Sequence, residues 1–71
     1  MKYLVVVEES ENGFGAYVPD LLGCVAVAKS RVKVVDLIQE TIEIHIEDLQ
    51  KSGNTVPQPT SQGELVDVRS A

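Results

Sequence analysis

Basic residues, cysteine and tryptophan are scarce or missing in this sequence. Six Lys and Arg stand against eleven Asp and Glu, which gives a formal net charge of -5. Sequence-independent binding of nucleic acid needs a face rich in basic residues, so this balance argues against such binding and favours a basic protein partner. The single cysteine, Cys24, excludes an intrachain disulfide, and one histidine, His45, leaves no zinc-ligating cluster. We therefore expect no metal and no cofactor.

Long apolar runs are also missing. The longest, Tyr3 to Val7, is far below the roughly 20 residues that a membrane span needs. The N-terminus lacks the basic start, apolar run and small-residue cleavage site of a secretory signal. The sequence therefore predicts a cytoplasmic protein without membrane contact, and a single thiol suits that compartment.

The chain has 71 residues, which is enough for one small domain over residues 1–71. A domain of this size buries only about 60% of the surface that its unfolded chain exposes. Very small folds therefore usually add disulfides, a structural metal or oligomerisation. Since the sequence offers neither of the first two, we expect a homodimer or a larger homo-oligomer.

The first part of the chain has the pattern of three strands. Residues 2–9 are β-branched and aromatic at their centre, which predicts a strand. Asn12-Gly13 is the pair that tight hairpin turns prefer, because both residues tolerate a positive φ, and residues 14–18 then alternate as a second strand. Pro19 has no N–H for a strand ladder, so an irregular connection should precede a third strand at about residues 24–29.

A long amphipathic helix should follow, from about Arg31 to about Lys51, with Ser30 as its N-cap. One apolar stripe comprises Val35, Ile38, Ile42, Ile46 and Leu49. The opposite, solvated side comprises Asp36, Gln39, Glu40, Glu43, Glu47 and Gln50. Leu37 and Ile44 form a second apolar edge that the sheet would leave uncovered, which makes them the candidate oligomer interface.

The last part of the chain begins with a helix stop at Gly53, followed by an extended Pro-rich segment. In residues 64–69, Val66 and Val68 alternate with Asp67 and Arg69, which predicts a final half-buried strand. The expected fold class is therefore α+β, in the order β-β-β-α-β. A small antiparallel-type sheet would carry the helix on one face.

The segment from Tyr17 to Cys24 reads Tyr-Val-Pro-Asp-Leu-Leu-Gly-Cys and resembles a pattern of the HicB antitoxin family. The resemblance extends over nearly the whole chain, through Phe14-Gly15-Ala16-Tyr17, the helix segment Ile42-Glu43-Ile44-His45-Ile46, and the Gly53 to Pro59 segment. It implies a partial ribonuclease-H-like fold, dimers or larger oligomers, and no catalysis. It also implies a partner, a small basic HicA toxin that cleaves messenger RNA.

The chain also departs from that family. Many members carry a C-terminal DNA-binding domain, whereas this sequence stops at Ala71, so we expect no operator binding by this chain alone. The family usually has Pro at the position of Leu22, Gly at that of Ala28, and an acidic pair at the positions of Val32 and Lys33. These changes lie at one corner of the domain and affect contacts made there.

The toxin interface is predicted at Tyr17, Pro19, Asp20 and Leu22. A large ring, a stiff proline, a carboxylate and an exposed apolar side chain together suit a basic partner with an apolar centre. The alternative is that these residues only shape the connection between the second and third strands. In that case the acidic side of the helix is the next candidate surface.

Two enzymatic interpretations are weaker. Glu8 and Glu9 would have to converge with helix carboxylates on divalent cations to make a degenerate nuclease, but they lie at the end of their strand. Cys24 and His45 would form a thiol and imidazole pair, but no third residue orients them, and packing roles explain both.

Lys29, Arg31 and Lys33 next to the helix start would suit a phosphate contact, but a solvated strand-to-helix junction is the preferred interpretation. No aromatic residue lies among them to stack on a base. The preferred function is that of a HicB-like antitoxin. The alternative of another class is a stand-alone oligomeric protein-binding module without a toxin. A short basic reading frame beside this one in the genome would distinguish the two.

Overall fold

The computed structural model describes residues 1–69 of the chain. Its elements are three strands and a helix: β1 (Val6–Ser10), β2 (Gly13–Tyr17), β3 (Val25–Ala28) and α1 (Arg31–Lys51). The strands form one antiparallel sheet in the order β1-β2-β3, and α1 packs on it. This confirms the predicted α+β class and the order of the first four elements.

The turn between β1 and β2 differs from the prediction. Ser10 pairs with Gly13, so the two turn residues are Glu11 and Asn12. Among the described residues only glycines have a positive φ, so Asn12 does not take the conformation expected of it. Gly13 has φ 146°, and a β-carbon there would lie 2.5 Å from the carbonyl oxygen of Ala28. Glycine is needed at this position because β3 approaches its backbone closely.

The sheet has one covered and one open face. Ala16 pairs with Val7 on one side and with Ala26 on the other, and this row faces α1. The next row, centred on Tyr17 and including Val25, points away from the helix. Tyr17 is 41% exposed and Val25 is 63% exposed. One solvated face is ordinary for an antiparallel sheet, but the β3 part of this one is apolar, with Val25 and Val27 both exposed.

The core lies between the sheet and the first half of α1. Its buried side chains are Ala16, Val18, Leu21, Cys24, Ala26, Val34 and Ile38. The predicted helix stripe is therefore rotated slightly, because Val34 is buried whereas Val35 is 42% exposed. The solvated side is confirmed, since all six polar residues predicted there are exposed. Val34 and Ile38 are four residues apart and share one face, whereas Val35 lies about 100° around the helix from Val34.

Both ends of α1 have local hydrogen-bonded caps. The Ser30 Oγ accepts a hydrogen bond from the Lys33 N–H at 3.2 Å, as predicted for an N-cap. At the other end, the Asn54 N–H donates to the Leu49 carbonyl oxygen at 2.9 Å, and Gly53 takes φ 73°. This is the glycine-dependent arrangement that satisfies the last free carbonyl groups of a helix.

The final strand predicted over residues 64–69 is not formed in the single chain. Residues 54–69, here called the C-terminal tail, contain no strand. Leu65 is 100% exposed, Val66 is 74% exposed and Val68 is 68% exposed. Alternating apolar and polar residues make a segment suitable for a strand, but a strand forms only where the segment can pair with a sheet edge. Among the described residues, the tail pairs with neither edge of the sheet.

Candidate functional site

The connection between β2 and β3, residues 18–24, is called here the crossing loop. Three backbone hydrogen bonds hold it: the Val18 N–H donates to Cys24, the Leu21 N–H to Val18, and the Cys24 N–H to Leu21, at 3.1–3.3 Å. The side chains of the same three residues are at most 3% exposed. The loop is therefore fixed by its own backbone and by three apolar anchors in the core.

The remaining residues of the crossing loop point outward. Leu22 is 91% exposed although its neighbour Leu21 is 1% exposed. Pro19 is also exposed, and Tyr17, which ends β2 beside the loop, is 41% exposed. Three of the four predicted interface residues are therefore exposed on this hydrogen-bonded loop or directly beside it. They are Tyr17, Pro19 and Leu22. The three side chains line the same open pocket, and adjacent exposed apolar side chains on a fixed backbone are typical of binding surfaces.

Asp20, the fourth predicted interface residue, is half-buried beneath the tail. Its carboxylate accepts four hydrogen bonds, from the backbone N–H and the hydroxyl group of both Thr60 and Ser61, at 2.8–3.2 Å. These bonds, those from Ser61 foremost, lower the pKa of Asp20 below its usual value. The carboxylate is therefore ionised at neutral pH, and it fixes the tail against the crossing loop.

Nothing in the local sequence predicts this contact, because Asp20 and Ser61 are 41 positions apart. A second contact lies nearby, where the Tyr3 hydroxyl group donates a hydrogen bond to the Pro57 carbonyl oxygen. The tail then passes Leu4 so closely that a β-carbon at Gly63 would lie 3.4 Å from its methyl carbon. The crossing loop, the start of the chain and the tail therefore form one continuous surface at this end of the sheet.

The predicted oligomer residues lie elsewhere, on α1. Leu37 is 40% exposed and Ile44 is 59% exposed. They are seven positions apart and so lie on the same side of the helix, about two turns from each other. The structure does not bring them together with the crossing loop, so the chain offers two separate apolar surfaces.

The residues of the weaker enzymatic interpretations lie on β1, in the crossing loop and on α1. Glu8 and Glu9 are exposed at the end of β1. Cys24 is buried, and burial raises the pKa of its thiol, which favours the unreactive protonated form. His45 is half-buried on α1. Within residues 1–69, no group of three or more His, Cys, Asp and Glu side chains lies close enough to hold a metal ion.

The basic residues near the helix start are exposed, and the Lys29 ammonium group donates a long hydrogen bond of 3.4 Å to the Asn12 carbonyl oxygen. That contact links β3 to the turn of the hairpin. In the part of the chain that the structure describes, no helix has the length and apolar character of a membrane span.

Two curated proteins are similar to this chain. A UPF0150 protein of Helicobacter pylori is 44% identical over 45 residues, which are 63% of this chain and 62% of that protein. A UPF0150 protein of Archaeoglobus fulgidus is 38% identical over 48 residues, which are 66% of this chain and 70% of that protein. The chain thus matches somewhat less than two thirds of the length of the Helicobacter relative.

The family match covers more of the chain than either relative does. Residues 3–70 match the family described as the HicB-like antitoxin of bacterial toxin-antitoxin systems. That range contains the sheet, the crossing loop, the helix and the tail. It also contains the Pro-Asp-Leu-Leu-Gly-Cys segment from Pro19 to Cys24 on which the resemblance was based. The chain therefore belongs to the HicB-like antitoxin family.

Proposed function

We propose that this protein neutralises a small basic toxin of the HicA type, which cleaves messenger RNA, by protein-protein binding without catalysis. Membership of an antitoxin family supports a toxin partner in general. The net charge of -5 supports a basic one. Because the toxin and its substrate are cytoplasmic, the complex would form in the cytoplasm.

The crossing loop is the proposed contact surface, and its fixed conformation is the observation that carries the proposal. The backbone bonds from Val18 to Cys24 hold Leu22 in solvent before any partner arrives. Binding to such a loop costs little ordering entropy, so more of the contact energy appears as affinity. Tyr17 and Pro19 extend the apolar area beside Leu22, and Asp20 contributes negative charge while holding the tail.

The solvated side of α1 provides the second part of the proposal, which is electrostatic steering. Its exposed carboxylates are Asp36, Glu40, Glu43, Glu47 and Asp48. Exposed charges of one sign raise the association rate with an oppositely charged partner more than they raise the affinity. The helix would therefore attract the toxin, and the crossing loop would hold it.

A homo-oligomer joined through Leu37 and Ile44 is a further part of the proposal. The apolar edge that they form remains in water in the single chain, and burying it between copies would add to a small core. Replacing Ile44 by Glu should weaken assembly, because it places a charge in that contact. Replacing Glu43 by Lys changes an exposed position and should leave assembly intact.

The decisive experiment is toxin capture by variants of the crossing loop. The probe is a catalytically inactive HicA-type toxin from the reading frame beside this gene, and the readouts are its dissociation constant and rescue of growth by co-expression with active toxin. Leu22→Glu combined with Tyr17→Ala should weaken binding by about tenfold or more and abolish rescue, because both remove apolar anchors.

The matched control is Val32→Glu, which changes an aliphatic side chain that is 72% exposed. Val32 lies in the first turn of α1, which follows the end of β3, whereas the crossing loop precedes the start of β3. The control should bind as the native protein does. Normal capture by the double variant would move the interface to the helix, and lack of capture by the native protein would favour a binding module with no toxin.

A further inference from the structure

The end of the tail has the side chains of a strand but no strand partner. Residues 64–68, here called the tail strand, alternate charged and apolar residues in part, and its apolar members Leu65, Val66 and Val68 are 68–100% exposed. The Cα radius of gyration is 14.1 Å, whereas a compact domain of 71 residues has about 11 Å. The chain therefore extends beyond its own core.

The direction in which the tail strand leaves is set by the contacts just before it. The Asp20 carboxylate holds Thr60 and Ser61 through four hydrogen bonds. Gly63 then passes against Leu4. A flexible segment would lack such contacts. The contacts instead position the following residues to project from one defined corner of the molecule.

Two sheet edges are free to receive a strand, since β1 and β3 each pair only with β2 among the described residues. Their charges differ. The β1 side carries Glu8 and Glu9, and both are exposed. The β3 side carries the apolar Val25 and Val27, which are 63% and 77% exposed, and is followed by Lys29. The tail strand contains Glu64 and Asp67, so like charges oppose the β1 edge and opposite charges favour the β3 edge.

The tail strand cannot readily pair with the β3 edge of its own molecule, because that edge lies at the opposite side of the sheet. The tail leaves beside Leu4, close to the start of β1, and β3 lies two strands away from β1. Strands are spaced by about 4.8 Å, so the tail strand would have to cross the whole sheet to reach its own β3. A second copy has no such restriction. Each copy offers an unpaired tail strand and a free β3 edge, so a two-fold exchange pairs both at once.

We propose that the tail strand of one copy, residues 64–68, adds to the free edge of β3 in a second copy, and that the second copy returns the same contact. Five extended residues span about 17 Å, which is sufficient to cover the four residues of β3 at about 13 Å. The exchange hides an exposed strand edge, which favours uncontrolled association when left open, and it places Val66 and Val68, which share one face of the tail strand, beside the side chains of β3. It depends neither on the toxin nor on the helix edge of Leu37 and Ile44.

The first test replaces Val66 by Pro. Proline removes the N–H that an added strand needs, whereas the side chain at this position is 74% exposed in the single copy, so the fold should be retained. Val66→Thr is the matched control, because threonine keeps the N–H and the preference for strands. Sedimentation equilibrium should show that the dissociation constant of the dimer rises by about tenfold or more for Pro. The control should stay within about threefold.

The second test exchanges charges. Lys29→Asp should weaken the dimer, and adding Asp67→Lys in the same chain should restore most of the loss, because the opposite charges then face each other again. An unchanged dimer with Val66→Pro would overturn the exchange, even if Ile44→Glu still separated the copies. Protected amide hydrogens at residues 65–68 in a monomer would also overturn it, since they would show pairing within one chain.

Discussion

From Tyr3 to Lys51 the chain is held by buried apolar side chains, whereas from residue 54 onward it is held mainly by hydrogen bonds, most of them to the Asp20 carboxylate. In the first region Leu21, Val34 and Ile38 are at most 1% exposed. In the tail most residues are exposed, and Asp20 is the main anchor. A short sequence can therefore combine a packed core with an arm that is attached mainly by polar contacts.

The two regions should respond differently to mutation. Removing a buried apolar side chain affects the cooperative unit as a whole, because the vacated volume is only partly refilled. Hydrogen bonds in contact with water exchange for bonds to water when they break, so their loss opens the tail while the core remains folded. Four sets of variants test this contrast, starting with the largest expected effect.

Ile38→Ala should have the largest effect. Ile38 is 1% exposed between the helix and the sheet, and such truncations lower the free energy of unfolding by about 2–5 kcal/mol. Val32→Ala is the control, because Val32 is 72% exposed on the same helix and lies outside the proposed oligomer interface. Urea denaturation at a fixed protein concentration measures both. Equal losses for the two variants would show that the single-chain core is not the main source of stability.

Gly13→Ala should rank second, at about 1–3 kcal/mol. A β-carbon at Gly13 meets the Ala28 carbonyl oxygen at 2.5 Å, in addition to the strain of φ 146°. Gly53→Ala separates the two effects, because Gly53 has φ 73° but nothing within 4 Å of the added carbon. It should cost about 1 kcal/mol. A smaller loss at Gly13 than at Gly53, measured by thermal unfolding, would contradict the close approach of β3.

Ser30→Ala should cost about 1 kcal/mol, because it removes the acceptor for the Lys33 N–H at the start of α1. The helix packs on all three strands, so this loss should appear in the unfolding of the whole core. Ser52→Ala, at the other end of the helix, is the control, since there the cap is made by the backbone. Equal stability of Ser30→Ala and the native protein would argue against the cap.

Asp20→Asn should have the smallest effect on the core and the largest on the tail. The neutral amide loses the charge on which four hydrogen bonds converge, so Thr60 and Ser61 should be released while the unfolding midpoint changes little. Nuclear magnetic resonance shifts of the two amide groups report the release directly. Asp36→Asn, at an exposed helix position, is the control.

The same contact should depend on pH in a defined direction. The pKa of Asp20 is lowered from 3.8 in the folded protein. Its contribution is therefore fully present at pH values above the unfolded pKa, and is lost as the pH falls through the lower folded pKa. The Thr60 and Ser61 amide shifts should titrate in that acidic range in the native protein and not in Asp20→Asn. A transition at neutral pH would show that another group holds the tail.

The tail strand shows where pattern-based prediction reaches its limit. Alternation at Val66 and Val68 predicts a strand, yet these residues pair with no other strand among the described residues. The hairpin turn shows a similar limit, because Asn12-Gly13 is a good turn pair but the strand register places the turn one residue earlier. In both cases the pattern describes what a segment tolerates, and the neighbouring strands determine what it does.

The crossing loop was predictable in part. Pro19 marked the end of β2, and the exposed residues Tyr17 and Leu22 were among those chosen from the sequence. The role of Asp20 was not predictable, since its partners are separated from it by 40 and 41 positions. Short-range patterns carry no information about which distant backbone groups a carboxylate will reach.

The element order up to the helix, the caps at Ser30 and Gly53, the acidic surface and the family were all predictable from the sequence, because they depend on residue type and on spacing along the chain. Tertiary structure alone decided that Val34 is buried in place of Val35, that Asp20 holds the tail, and that the tail strand remains unpaired. Those outcomes depend on the rotation of a helix against a sheet and on which groups meet across 40 residues or more. These contacts are determined only when the helix and the tail pack against the sheet.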